Sequence, residues 1–207
     1  VAGIQDDLSH RIRVLEKELQ AELEQQSQAF RYQLIQGKAK FEDEILAVHR
    51  AWKRGLGSYL LQSRILVALT APVIYLGVIP FALLDLFLVV YQGSCFPIYG
   101  IPKVKRSEYV FFDRGHLKYL NLLERLNCIY CSYGNGLLAF ATEVAARTEQ
   151  YWCPIKHARR LRAPHSRYPH FLEYGDAKGF REQGGRVSAD FVDVRDIGAA
   201  PGASTGD

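Results

Sequence analysis

Apolar and polar residues in this chain are segregated over tens of positions, and the spacing within each block predicts its form. From Asp6 to Gln36 the residues are mostly Glu, Gln, Leu and Arg, and Leu8, Ile12, Leu15 and Leu19 recur at 4-3-4 spacing. That spacing gives two heptad steps on a helix. The register blurs at Gln25-Gln26-Ser27-Gln28 and resumes loosely at Phe30 and Leu34. Two heptads fit either a coiled-coil-like helix that pairs with a partner or an amphipathic helix lying on its own domain. Gly37 is expected to loosen this helix. A second one, Phe41 to Lys53, would carry Phe41, Ile45, Val48 and Trp52 on one face and end at Gly55 and Gly57.

The next block is RILVALTAPVIYLGVIPFALLDLFLVVY, Arg64 to Tyr91, which has no charge between Arg64 and Asp85. A segment this long with no polar face is expected to be membrane-embedded. Its 28 residues would extend about 42 Å as one straight helix, against a hydrocarbon core of about 30 Å. Two crossings would need about 40 residues, so one kinked span or a re-entrant hairpin remains. Pro72 and Pro80 each remove a backbone donor and favour a bend. Basic residues flank both sides, Arg50, Lys53, Arg54 and Arg64 before and Lys103, Lys105 and Arg106 after. That symmetry favours a hairpin whose two ends lie on one side of the membrane.

Beyond the apolar block, Pro97, Gly100 and Pro102 predict an irregular connector. Asp113 is a candidate N-cap for a helix bearing Leu117, Leu120, Leu123 and Leu126. A turn is expected around Cys128 and Cys131, followed by a helix from Gly136 to Tyr151 capped by Asn135. Pro154 would open a short fourth helix. After Gly175 the composition shifts to Gly, Ala, Ser and Asp, which predicts a flexible tail. The expected architecture is all-α, in four parts. Residues 1–58 form an amphipathic association region, 59–92 the membrane segment, 93–174 a Cys-rich helical domain and 175–207 the tail.

The bulk composition narrows the partners. The chain has 207 residues, 48% of them hydrophobic, and a net charge of +4. Its basic residues sit beside the apolar block, so an anionic lipid surface is the expected partner and nucleic acid is not. The polar N-terminus predicts no cleavable signal, hence a reducing compartment and free thiols.

Three of the four cysteines fall within Cys128 to Cys153. Cys128 and Cys131 form a C-x2-C pair followed by Gly134 and Gly136, while Cys153 and His157 are four apart. If two helices return through the intervening turn, the set supplies three thiolates and an imidazole, a closed tetrahedral complement for structural zinc. Cys95 can replace His157, giving a four-thiolate site for zinc or an iron–sulfur cluster. A dithiol redox pair and inert buried cysteines also fit the spacing. Covalent haem is disfavoured because Ser132 stands where attachment needs His.

Other polar residues suggest less. His116, His165 and His170 lack a metal spacing. Lys156, Arg159, Arg160, Arg162 and Arg167, interleaved with Tyr168 and Phe171, fit membrane phosphates, nucleic acid or a solvated face. Glu143 and Glu149 with Arg147 read as helix-surface pairs. No phosphate loop, nucleophile elbow or paired carboxylates mark an enzyme.

The run from Gly100-Ile101-Pro102-Lys103 through Glu124-Arg125-Leu126-Asn127-Cys128 to Arg147-Thr148-Glu149-Gln150-Tyr151-Trp152-Cys153-Pro154-Ile155-Lys156-His157 resembles a group of uncharacterised bacterial membrane-associated proteins. The resemblance covers most of the chain except the tail and implies a bacterial source; with the basic flanks and reduced thiols, the expected location is the inner membrane with the soluble parts mainly cytoplasmic. The resemblance brings no activity with it. The leading expectation is therefore a membrane-anchored scaffold or accessory subunit with protein partners, self-associating through residues 6–36. A membrane redox protein using the cysteines is the alternative, and an enzyme using the same metal the third reading.

Overall fold

The computed structural model of the chain describes residues 2–29, 32–35, 38–41, 43–53, 55 and 65–197. The sequence-stretch residues Phe30, Gly37, Arg54, Gly57 and Arg64, the side chains of Leu8 and Ile12, and residues 198–207 lie outside these. The described chain is mostly helical: α1 (Ala2–Ala29), a hairpin of β1 (Tyr32–Ile35) and β2 (Lys38–Phe41), α2 (Asp43–Ala51), α3 (Ile65–Leu76), α4 (Val78–Tyr99), α5 (Leu122–Trp152), α6 (Ala177–Ala189) and α7 (Val192–Ile197). The chain divides into two compact units. One joins Val1–Ile65 with Asp113–Ile129, and the other joins Leu66–Phe112 with Tyr130–Asp207.

In the first unit the expected helix to Gln36 stops at Ala29, and a two-stranded hairpin follows, with Tyr32 opposite Phe41 and Ile35 opposite Lys38. Tyr32 and Ile35 supply the aromatic and β-branched positions that favour extended chain there. On α1, Leu15 is 63% exposed and Leu19 60%. Among the described side chains of the stripe, Leu15 and Leu19 are therefore left uncovered.

The second unit is built on α4 and α5, which run in the same direction. Phe81 packs at Gly134, Tyr91 bonds Thr148, and Tyr99 stacks on Tyr151. Leu88 and Phe96 from α4 meet Leu137, Phe140 and Val144 from α5, with Ile101 and Val104 of the connector closing the core.

The turn expected at Cys128–Gly136 is absent, because α5 is one helix of 31 residues. Its cap is Asn121, not Asp113. The Asn121 Oδ1 accepts from the Glu124 amide at 3.0 Å, and a Glu124 carboxylate oxygen accepts from the Asn121 amide at 2.9 Å. This is a capping box, two orphan donors satisfied reciprocally. Gly134 and Gly136 do not break the helix, because they are packing positions. A Cβ on Gly136 would lie 2.5 Å from the Tyr109 carbonyl oxygen and 2.9 Å from the Val110 Cα.

The stretch read as a tail is ordered through Ile197. Asp176 caps α6 by accepting from the Gly179 amide at 2.8 Å, and Phe191 belongs to the core. No helix starts at Pro154. Instead Ile155 forms a parallel bridge to Leu172.

The glycines give a direct test of this packing. Gly136→Ala should lower unfolding stability in detergent by about 1–3 kcal/mol, because backbone must move to admit the methyl group. A Cβ on Gly93, in α4, meets nothing within 4 Å, so Gly93→Ala should gain up to about 1 kcal/mol from helix propensity. Equal unfolding midpoints for the two variants would contradict the close approach at Gly136.

Candidate functional site: the exposed apolar helices and their polar pins

The apolar block forms one kinked helix and not a hairpin. Gly77, between α3 and α4, keeps right-handed helical angles (φ −59°, ψ −17°), so the chain bends without reversing. Pro80 has no amide for the Leu76 carbonyl. The ladder tightens ahead of it, where the Gly77 amide donates to the Ile74 carbonyl at 3.0 Å. The Tyr130 hydroxyl donates to the same carbonyl at 2.7 Å. From Leu69 to Tyr99 this helix is long and apolar enough to cross a membrane, and only 6% of its most apolar stretch is buried. Leu69, Val73, Leu76, Ile79, Leu83 and Leu86 are all exposed.

The neighbouring helix extends that surface. On α5 the residues open to solvent from Cys131 to Ala145 are Cys131, Asn135, Leu138, Ala139, Thr142 and Ala145, none of them charged. At the far end Tyr99, Tyr151 and Trp152 form an aromatic cluster with centroid separations of 5.0 to 5.4 Å. Together the two helices present a broad uncharged face edged by aromatic rings.

The connector folds back along α4 and brings charged residues to it. Gln92 holds it by donating to the Val104 carbonyl at 3.3 Å and accepting from the Val104 amide at 3.0 Å. Arg106 forks onto Asp85, with Nε to Oδ1 at 2.9 Å and Nη2 to Oδ2 at 2.7 Å, and the Tyr133 hydroxyl adds a third bond at 3.0 Å. The one acid in the apolar block is thus fully partnered.

A second polar set faces a cavity of about 260 Å³ lined by Lys103, Lys105, Tyr109, Glu143, Arg147 and Arg167, among others. Glu143 and Arg147 pair at 2.8 Å, as their spacing suggests, but both are nearly buried and not on a surface. The remaining Glu143 oxygen accepts from the Ser166 hydroxyl at 2.6 Å, and Arg147 donates to the Pro102 carbonyl at 2.8 Å. Glu149 pairs with His165 at 2.9 Å, not with Arg147.

Arg167, 2% exposed, bonds Gln150 at 2.5 Å, the Asp190 carbonyl at 3.0 Å and the Asp193 carboxylate. Burial works to raise the Asp193 pKa, but the Arg167 hydrogen bond and charge outweigh it, so the carboxyl is held below its ordinary value. Its contribution to folding is therefore present above the usual carboxylate range and lost as pH falls through the lowered pKa. Burial, with the Glu143 charge second, pushes the Tyr109 phenol up.

The residues expected to hold a metal are not brought together. Cys128 and Cys131 stand about one turn apart on α5, and Cys153 follows the end of the same helix. From Cys131 to Cys153 the rise is about 33 Å at 1.5 Å per residue, where zinc needs sulfurs about 2.3 Å from one ion. His157 lies on the loop beyond, its amide bonded to the Tyr168 hydroxyl at 2.9 Å. Cys95 sits on α4, and all four thiols are free. Among the described residues no three His, Cys, Asp or Glu gather where they could hold a metal ion. The reason is the unbroken helix, which removes the return path that convergence required. As placed, these residues do not form a single zinc or iron–sulfur cage.

No family model matches this chain, no curated protein is similar to it, and no solved structure matches its fold.

Two substitutions separate the buried pins from the exposed thiols. Glu143→Ala strands Arg147 without its carboxylate and should cost about 3 kcal/mol or more. Cys131→Ser, on an exposed position, should stay within about 0.5 kcal/mol of the parent, and added chelator should leave the unfolding curve unmoved. A large loss on Cys131→Ser, or a chelator effect, would restore the metal reading.

Proposed function

We propose that the protein is a membrane-surface scaffold or accessory subunit, held on one face of a bilayer by the α3–α4 helix together with α5. The observation that carries this reading is the apolar helix Leu69–Tyr99, of whose most apolar stretch only 6% is buried.

Its one-sided attachment follows from chain connectivity. The chain leaves α4 at Tyr99, beside Tyr151, and comes back to Tyr130, beside Gly77. Tyr130 and Tyr151 are separated by about 31 Å of helix rise, which equals a hydrocarbon core. If the helix pair crossed the bilayer, the segment between would have to cross back. That segment carries Lys103, Lys105, Arg106, Glu108, Asp113, Arg114 and Lys118 and is largely irregular. Non-helical backbone and charge of this density are not stable in hydrocarbon. The pair instead embeds its uncharged face in one leaflet and keeps the connector toward water. The basic residues on both sides of the apolar block in the sequence support this reading. In a bacterial cell that leaflet is the cytoplasmic one of the inner membrane.

The exposed Leu15 and Leu19 on α1 supply the association surface, for a second copy or another subunit of the same assembly. No catalytic step is assigned to the polar cavity, because its carboxylates and guanidinia are engaged in structural bonds.

Topology tests the reading. Single cysteines placed near Lys53 and near Lys105, in a variant with Cys95, Cys128, Cys131 and Cys153 changed to Ser, should react with an impermeant reagent from the same side of sealed vesicles. Reaction from opposite sides would show a true crossing and overturn the one-face attachment.

A further inference from the structure

Beyond the ends of α4 and α5 the chain forms a cavity of about 280 Å³ lined by Lys156, His157, Arg159, Arg160, Arg162 and Tyr168, with Glu173 as its acid. It is a built feature, because the loop is pinned on both sides. At its start the Lys156 amide donates to the Leu172 carbonyl at 2.7 Å, and the Leu172 amide to the Pro154 carbonyl at 2.9 Å. The His157 ring lies nearly parallel to that of Tyr168, with an interplanar angle of 15°. At its end His165 bonds Glu149 and the short helical turn Tyr168–His170 follows.

The charge inside this frame is uncompensated. Glu173 is taken by the Lys156 ammonium at 2.5 Å. Arg159, Arg160 and Arg162 are exposed or lie on the rim, and none forms an ion pair or hydrogen bond among the described residues. Three cationic residues lining one cavity repel one another unless an anion joins them. Guanidinium forks match phosphate oxygens in geometry as well as charge.

Position selects the source of that phosphate. The loop begins directly after the exposed aromatic cluster of Tyr99, Tyr151 and Trp152, which itself follows the uncharged face. A helix pair with its uncharged face in one leaflet keeps its aromatic end at the interface, so the basic loop that follows reaches the headgroup layer.

We infer that the Arg159–Arg160–Arg162 cavity binds the phosphate of an anionic phospholipid headgroup. This rests on the membrane-surface reading and adds lipid selectivity to it. The site gives a reason for one loop to hold three unpaired arginines at the aromatic end of the helix pair.

The test uses the full chain, a variant carrying R159Q, R160Q and R162Q, and a control carrying K178Q and R181Q, which removes two cations from α6. Each is floated with vesicles of phosphatidylcholine alone and of phosphatidylcholine mixed with phosphatidylglycerol. Circular dichroism first confirms that helicity is unchanged. The parent should partition more strongly onto phosphatidylglycerol vesicles, and the triple variant should lose roughly fivefold of that preference per arginine, about a hundredfold in all. The control should keep the parent's preference. Unchanged preference in the triple variant, or an equal loss in the control, overturns the site and indicates diffuse charge attraction. If inorganic phosphate abolishes the arginine-dependent preference at constant ionic strength, the cavity is a free-phosphate site and the lipid assignment falls. Binding of all three proteins to phosphatidylcholine keeps the anchor intact whatever the arginine result. Failure of all three to float on either vesicle sinks the anchor and this inference together.

Discussion

An irregular chain lying against two long helices has no ladder of its own to satisfy its peptide groups, and buried peptide groups must be paired. Here that demand is met by polar side chains placed within otherwise apolar helix faces. Gln92 pairs with both backbone groups of Val104 much as a neighbouring strand would, and Arg147 reaches the Pro102 carbonyl. Gln150 does the same for the C-terminal helices, donating to the Val187 and Asp190 carbonyls at 2.9 and 2.6 Å. Remove these three, and the Arg106–Asp85 fork and the bonds of Arg167 to Asp190 and Asp193 are left to fix the register of the connector and the C-terminal helices.

That constraint explains the composition of the Arg147–Trp152 stretch. Arg147 and Gln150 face inward as pins, whereas Tyr151 and Trp152 face the aromatic cluster. The same turn of helix thus organises the interior on one side and the edge of the exposed face on the other. Specific polar bonds of this kind add little net free energy when made and are costly when half broken. They act mainly to select one arrangement.

The sequence pattern revealed the helical character and the apolar block, because both rest on long runs of like residues. It misled where one residue type serves two purposes. Gly134, Asn135 and Gly136 read as a turn, yet the glycines admit Phe81 and the Tyr109–Val110 backbone, and Asn135 donates to the Cys131 carbonyl inside the helix. The convergence expected of Cys128, Cys131, Cys153 and His157 depended on that turn, and the unbroken helix keeps the first two far from Cys153. Asn121-Leu122-Leu123-Glu124 was the available signal for the helix start, and the capping-box spacing would have found it. The order in residues 177–197 was hidden by their polar composition, since Phe191 with Val194 makes the core contact. The roles of Gln92 and Arg167 are long-range, with partners 12 to 26 positions away, and no local pattern announces them.

The parallel course of α4 and α5 has an electrical consequence. Antiparallel neighbours cancel their macrodipoles, but parallel ones add, so both negative ends lie together near Tyr99 and Trp152. The chain leaves that end directly into Lys156 and the three arginines beyond it. The helices thus supply a diffuse counter-charge along their final turn, which lowers the mutual repulsion within the basic loop before any outside anion arrives. Reversing either helix would remove that support, so the direction of the backbone is part of what lets so much positive charge gather in one place.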